Sequence, residues 1–423
     1  MTLPIKRTVP ISISINQNII LRLYPSINYY NKMLTLSLIN MSKVSIVRAP
    51  RAPDRDEIYK MIKESLNLVG GLESIVKKGD IVALKPNVVT GRVTSPGVTT
   101  DKRIVEAMIK QCYEAGADEV LVVEGAGYFT ETKVALELSG IKNMAEELGA
   151  WVVNVDIEDT IELEVPDPLI IDKIPVNKAF MESDVRINMP VMKTHDQLLV
   201  TLGAKNLKGV IPKPMKRHFH KIGVIKAVID LNKIVPLDLT LLDAIVAMEG
   251  LGPSFGPKVK LNTIMASRDV WALDRAASNI MGFKADELDY LLEAHNSGLT
   301  DLDQTIDVIG EPLNTFTYDF ERPPTNMDFA EGVTVISEGA CSACRGTIHS
   351  VLYDIEQMKM MGEIRNLFIV VGSNAEPPAD LPNTPLIMGT CLKRHEGKGC
   401  YVEGCPPNND KMMAAIREIC EIE

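Results

Sequence analysis

The chain has 423 residues, a formal net charge of −11 at pH 7, 46% hydrophobic and 24% charged residues, and only 5% aromatics. The acidic balance and the few aromatics argue against general nucleic-acid binding, and no run of eighteen apolar residues is available to span a bilayer. The length exceeds one hydrophobic core and points to two or three domains.

Residues 1–40 differ from the rest: they hold four Lys/Arg, no Asp or Glu, and many Ile, Asn, Ser and Tyr. A basic, acid-poor leader fits a transit peptide. The preferred reading is a non-structural leader or a mis-assigned start, with Met41 opening the fold and no function in residues 1–40.

From Met41 onward, short apolar runs alternate with helical periodicity. Lys43-Val-Ser-Ile-Val-Arg48 reads as a strand. Asp54 to Val69 reads as a helix with an acidic first turn and a glycine pair after it. Ile81-Val-Ala-Leu84 is a buried strand ending in Lys85-Pro-Asn87, and Lys102 to Ala115 a helix closed by Gly116. Val120 to Val123 is a strand running into Glu124-Gly-Ala-Gly-Tyr128. Val134 to Leu148 reads as one helix, Trp151 to Val155 as a strand, and Val185 to Met189 and Leu239 to Ile245 as two more. This alternation predicts right-handed βαβ units: an α/β chain with a mainly parallel, Rossmann-like sheet.

In such sheets ligands sit beyond the carboxyl ends of the strands. Four predicted strand ends carry polar residues: Lys85 and Asn87; Glu124; Lys193 and His195; Asp243 and Glu249. The last leads into Gly250-Leu-Gly-Pro-Ser-Phe-Gly256, which can wrap a ligand with backbone N–H groups or merely turn the chain. The stretch Pro190 to Lys221 concentrates cationic residues in an acidic chain. Its expected use is to bind a carboxylate or phosphate through Lys85, Asn87, Lys205, Asn206, Lys208 and Arg217; a solvated basic loop is the bland alternative. Lys205 and Lys208 share a face if their segment is helical. Lys213, Lys216 and Arg217 are expected in a loop stiffened by Pro212 and Pro214. His218 and His220, two apart, would share a face on a strand and could chelate a metal. His195 is the catalytic candidate, a general acid or base titrating near neutrality, beside Lys193 and with Asp243 or Glu249 to orient it.

The C-terminal part carries a sharper chemical signal. Five of the seven cysteines fall between 341 and 405: Cys341-Ser-Ala-Cys344, Cys391, Cys400 and Cys405, the last followed by Pro406. A large acidic chain without a credible secretory signal is a poor setting for disulfides. Two thiolates from a CxxC turn and two from distant loops can enclose a 4Fe–4S cluster or a tetrahedral zinc. The second half does not repeat the CxxC spacing of zinc knuckles, and a cysteine before proline is closer to the iron–sulfur habit. Cys341, Cys344, Cys391 and Cys405 are the expected ligands, with Cys400 either spare or in the place of Cys391; Cys112 and Cys420 are ordinary. Strands at Val333–Ile336, Leu367–Val371 and Leu386–Met388 and helices at Ile348–Met361 and Lys411–Ile422 frame them, with Asn314 to Asp328 as a connector. The division is then a leader at 1–40, an α/β ligand-binding domain at 42–313 and a cysteine domain at 314–423.

The ordered series Lys85-Pro-Asn87, Pro190-Val-Met-Lys-Thr-His195, Lys205-Asn-Leu-Lys-Gly209, Asp243 and Gly250-x-Gly-Pro-x-x-Gly256 resembles the archaeal and bacterial domain-of-unknown-function family catalogued as 362, over about Val44 to Leu313. The resemblance implies the company of iron–sulfur modules, which suits the cysteines, and implies no particular activity. Two functions stay open: an iron–sulfur enzyme, oxidoreductase or lyase/isomerase, acting on a small anion; or a non-catalytic iron–sulfur carrier docking an acidic redox partner. A zinc-stabilised structural protein is the third. A cytoplasmic, membrane-free location is expected, and a homo-oligomer is allowed.

Overall fold

The computed structural model describes residues 41–89, 97–127, 130–195, 198–250, 252–254, 256–323 and 331–422. The leader at 1–40, Leu251 and Phe255 of the glycine-rich segment, and 324–328 of the expected connector lie outside these residues. All described elements belong to the unit Ser42–Glu423.

In chain order the first part comprises β1 (Lys43–Arg48), α1 (Arg55–Leu68), β2 (Ile81–Pro86), α2 (Lys102–Ala115), β3 (Glu119–Glu124), α3 (Thr132–Leu138), α4 (Ile141–Glu147), β4 (Trp151–Asn154), β5 (Thr160–Glu164), β6 (Lys173–Asn177), α5 (Lys178–Glu182), β7 (Val185–Met189), β8 (Val191–His195), β9 (Leu199–Thr201), α6 (Gly203–Asn206), α7 (Lys213–Ile222), α8 (Val224–Ile234), β10 (Leu239–Met248), β11 (Lys258–Ser267), α9 (Val270–Ile280), α10 (Asp289–Asn296) and β12 (Asp307–Gly310). The second part follows with β13 (Val333–Ile336), α11 (Ser342–Gln357), β14 (Leu367–Val371), β15 (Leu386–Met388), β16 (Cys400–Val402) and α12 (Asn409–Cys420).

Local chemistry accounts for several boundaries. Asp54 accepts from the Glu57 N–H and Glu57 reaches back to the Asp54 N–H, a capping box that starts α1. Gly116, at φ 109°, ends α2 in a left-handed turn that a side chain would resist. The single helix expected from Val134 to Leu148 is two, because Gly140 at φ 67° breaks it.

The large sheet runs β12-β1-β11-β10-β7-β2-β3-β4, with β8 paired to β10 and β9 to β8. Strands β10, β7, β2, β3 and β4 are mutually parallel, so their carboxyl ends form one rim. The fold is therefore α/β with a mostly parallel sheet. Strands β9 and β11 run against their neighbours. At Pro190 the chain leaves β2 and stays with β10, whose Asp243 N–H bonds the Pro190 carbonyl at 2.8 Å. Apolar clusters cover both sheet faces, one around Ile104 and Met108, others around Trp271 and around Phe180 and Phe219. Phe316 and Phe320, from the segment expected to be a connector, pack into the Trp271 cluster.

The second sheet, β13-β14-β15-β16, is entirely parallel and has its own core around Ile348, Leu367 and Met412. Helix α11 begins earlier than expected, at Ser342, so it carries Cys344. Among the described residues no helix is long and apolar enough to cross a membrane.

Candidate functional site

The rim of the large sheet is lined by buried charge. Lys85, the penultimate residue of β2, is fully buried and donates to the Glu124 carboxylate at 2.9 Å and to the Pro86 carbonyl at 2.7 Å. Glu124, the last residue of β3, also accepts from the N–H groups of Val88 at 2.9 Å and Gly125 at 2.8 Å. Burial pushes Lys85 down and Glu124 up, and their attraction opposes both shifts. The carboxylate's bonds to Lys85 and to two N–H groups favour the charged form of the pair. Two glycines make room for it. A Cβ on Gly209 would collide with Glu124 Oε1 and the Lys85 ammonium, and one on Gly125 with Lys216 Nζ. Lys216 bonds the Ala126 carbonyl at 3.0 Å near Asp156, and burial pulls it down to about 8.

A second group surrounds Lys193. Its ammonium, fully buried, donates to Asn87 Oδ1 at 2.6 Å and to the Val98 carbonyl at 2.8 Å. Among the described residues no carboxylate forms a salt bridge with it, and burial brings it down to about 7. Asn206 joins the groups: it accepts from Asn87 Nδ2 at 2.8 Å and Lys85 Nζ at 3.4 Å, and donates to Asn188 at 2.8 Å. Thr100 holds the Asn87 backbone through a 2.8 Å bond. Lys205 Nζ lies 3.1 Å from Thr201 Oγ1, and Lys208 Nζ 2.8 Å from His220 Nε2. Burial first and then Lys216 bring Lys208 down to about 7, with Cys341 acting in the opposite sense. Lys208, in the turn after α6, thus lies within electrostatic reach of Cys341, which follows β13.

Several expectations need correction. Lys213, Lys216 and Arg217 lie on helix α7, where Pro214 occupies the first turn and so does not disturb it. Two residues apart on a helix, His218 is exposed and His220 is half-buried against Lys208, so they are no chelating pair. Arg217 is exposed, away from the buried group. His195 does not titrate near neutrality: burial and then Lys205, Lys208, His220 and Lys193 hold it well below the usual histidine range. It is a neutral imidazole, whose Nδ1 accepts from the Leu198 N–H at 3.4 Å. Asp243 accepts from the N–H groups of Asp101 at 2.8 Å and Ile245 at 3.0 Å, and burial raises it to about 7. Glu249 instead holds the Glu321 N–H at 2.9 Å. Asn188 and Thr100 are members that sequence reasoning did not assign, and Lys216 was expected only in a basic loop. Glu124 was visible as a strand end; nothing in the sequence pairs it with Lys85.

The cysteines occupy an analogous position on the second sheet. Cys341 follows β13, Cys391 follows β15 and Cys405 follows β16, all at carboxyl ends of parallel strands. The Sγ atoms of Cys391 and Cys344 lie 3.5 and 3.7 Å from the point where a Cβ on Gly389 would stand. The Cys344 thiol is pushed up by a hydrogen bond with Cys341, then by burial, then by Cys341, Cys391 and Cys405 as neighbours. Cys391 is raised by burial, Cys341 and Cys405, while its own N–H and that of Gly372 oppose this. Cys400 stands apart, raised by burial and by Glu418. Among the described residues, no three His, Cys, Asp or Glu side chains are grouped tightly enough to hold a single metal ion.

The family model described as "Domain of unknown function (DUF362)" matches residues 82–279. The thylakoid-associated protein of Synechocystis sp. is 30% identical over 249 residues, covering 57% of this chain and 75% of that protein. The chain belongs to the DUF362 family. The matched residues of this DUF362 protein include the rim described above, from Lys85 to Asp243. Two solved structures resemble the chain more distantly. The lactate racemase apoprotein of Thermoanaerobacterium thermosaccharolyticum has 12% identity and a TM-score of 0.42, over 91% of this chain and 81% of that one. A Thermotoga maritima protein has 11% identity and a TM-score of 0.39, over 85% of this chain and 93% of that one. At that level neither informs on chemistry.

Proposed function

We propose that this DUF362 protein is an iron–sulfur enzyme: the rim of the large sheet, in an α/β domain at 42–313, binds a small carboxylate- or phosphate-bearing substrate, and Cys341, Cys344, Cys391 and Cys405, in a domain at 314–423, hold a 4Fe–4S cluster. The observation that carries the reading is the mutual interaction of these four thiols, with Cys400 outside the group. The residues fit the group. Four cysteine thiols, three from loops that follow parallel strands and one from the first turn of α11, are the donor set that a 4Fe–4S cluster takes. The Gly372 N–H directed at Cys391 is the kind of donor that stabilises cluster thiolates. When bound, such a cluster supplies electron transfer or Lewis acidity.

The chain's own residues do the rest. Lys193 and Lys208 are buried or half-buried cations with neutral partners, which suits them to an anionic guest. Lys193, poised at about 7, can take up or release a proton at Nζ near neutrality. His195, kept neutral, can orient substrate by a hydrogen bond but is not a cationic acid. Asn87 and Asn206 hold the two lysine groups in register.

Anaerobic purification of the full chain, with iron, zinc and acid-labile sulfide analysis, tests this. A brown protein with about four iron and four sulfide per chain is expected. A colourless protein holding one zinc overturns it and leaves the zinc-stabilised alternative. A brown protein that binds no small anion and associates with an acidic partner in a salt-sensitive way would be the carrier instead.

A further inference from the structure

We propose that Lys208 and His220 form an anion seat shared between the lysine rim and the cysteine edge, so that a bound substrate's charge and the oxidation state of the centre at Cys341 influence each other. The inference rests on the reading above that the four cysteines hold an iron–sulfur cluster, and it names how that site is regulated. Three observations carry it. Lys208 Nζ touches His220 Nε2 at 2.8 Å, a neutral partner for a cation. No described carboxylate forms a salt bridge with Lys208, unlike Lys85 and Lys216, which have Glu124 and Asp156. Lys208 also lies within electrostatic reach of both Cys341 and His195. The seat therefore lies on the turn Leu207–Val210 after α6, within electrostatic range of the cysteine that follows β13.

The physics gives the coupling a sign. A cation beside a cluster favours its reduced, more negative form, and an anion seated on that cation opposes it. An anion bound at Lys208 should therefore lower the midpoint potential. By linkage, the oxidised protein should bind the anion more tightly than the reduced protein by the matching factor. For a one-electron centre, each tenfold difference in affinity corresponds to about 59 mV.

The test uses the full-length holoprotein. Binding of inorganic phosphate and, separately, of oxalate is measured by calorimetry on oxidised and dithionite-reduced protein, and the potential is titrated with and without each anion. At least one anion should bind the oxidised form tenfold or more tightly and lower the potential accordingly. Lys208→Gln should weaken binding tenfold or more and abolish the redox difference. Lys208→Arg should retain both, and Lys213→Gln, whose ammonium pairs with Glu131, should leave both unchanged. If Lys208→Gln does not fold, His220→Gln replaces it, with the same expectation. Equal affinity in the two oxidation states, no binding of either anion, or a coupling that survives Lys208→Gln overturns the inference. A protein without iron overturns the iron–sulfur reading separately, and phosphate or oxalate affinity of Lys208→Gln against Lys213→Gln then still reports on the seat.

Discussion

The two parallel sheets place their chemistry at the same topological position but stabilise it in opposite ways. On the large sheet the rim charges are locked together: Lys85, Glu124 and Lys216 interdigitate across two glycines, and Asn206 ties them to Asn87 and Lys193. On the small sheet the thiols crowd one another, and the Cys344 proton is held in place by Cys341 and burial. Within the first, Lys85 and Lys216 are complete as they stand, because each has a carboxylate within reach. The second gathers groups that a ligand requiring thiolates would relieve of their protons. The carboxylate-paired lysines hold the first rim in shape, and the proposed cluster would relieve the crowding of the thiols on the second.

The contrast predicts the largest effect at the cysteines. Cys341→Ser or Cys344→Ser should reduce bound iron to near zero in the anaerobically isolated protein, whereas Cys400→Ser should keep it, as read by iron and sulfide analysis. Retention of iron in Cys344→Ser would remove Cys344 from the ligand set.

The next effects belong to the lysine rim and are read as stability. Glu124→Gln strands Lys85 without its counter-ion and should cost about 3–5 kcal/mol in urea unfolding; a loss below about 1 kcal/mol would show that the pair is not held charged. Gly209→Ala should cost about 1–3 kcal/mol by the same measurement, because its Cβ would overlap the Lys85–Glu124 pair. A neutral outcome would mean that the rim yields where the glycines indicate it is rigid.

The smallest effect is a pH slope. Burial, with Asp101 as a neighbouring charge, raises Asp243 from the usual carboxylate range to about 7. The folded protein therefore keeps a proton on Asp243 that the unfolded chain gives up near pH 4. Its contribution to stability is largest at low pH and falls as pH rises from about 4 to about 7. Asp243→Asn should flatten that part of the curve; an unchanged slope would place the titration elsewhere.

The α/β alternation was legible in the sequence because strand runs such as Ile81–Leu84 and Val120–Val123 are buried on both faces and read as continuous apolar stretches. The ends of α1 and α2 were equally legible, since Asp54, Glu57 and Gly116 act within one turn of chain. Spacing and context marked five cysteines from Cys341 to Cys405 as candidates, and the structure sets Cys400 apart from the other four. Helix α7 was misread as a loop because proline was weighed as a breaker, when in the first turn it costs no hydrogen bond. What only the tertiary structure decided depends on distance across the sheet. Lys85 meets Glu124, Lys193 meets Asn87, and Lys208 lies near Cys341, over separations of tens to more than a hundred residues. The protonation of His195 belongs there too, since an imidazole titrates near neutrality until burial and a ring of lysines, none adjacent to it in sequence except Lys193, hold it neutral. Local sequence sets backbone conformation through caps, turns and periodicity, while charge states and partners follow from a dielectric and neighbours that exist only once the strands are aligned.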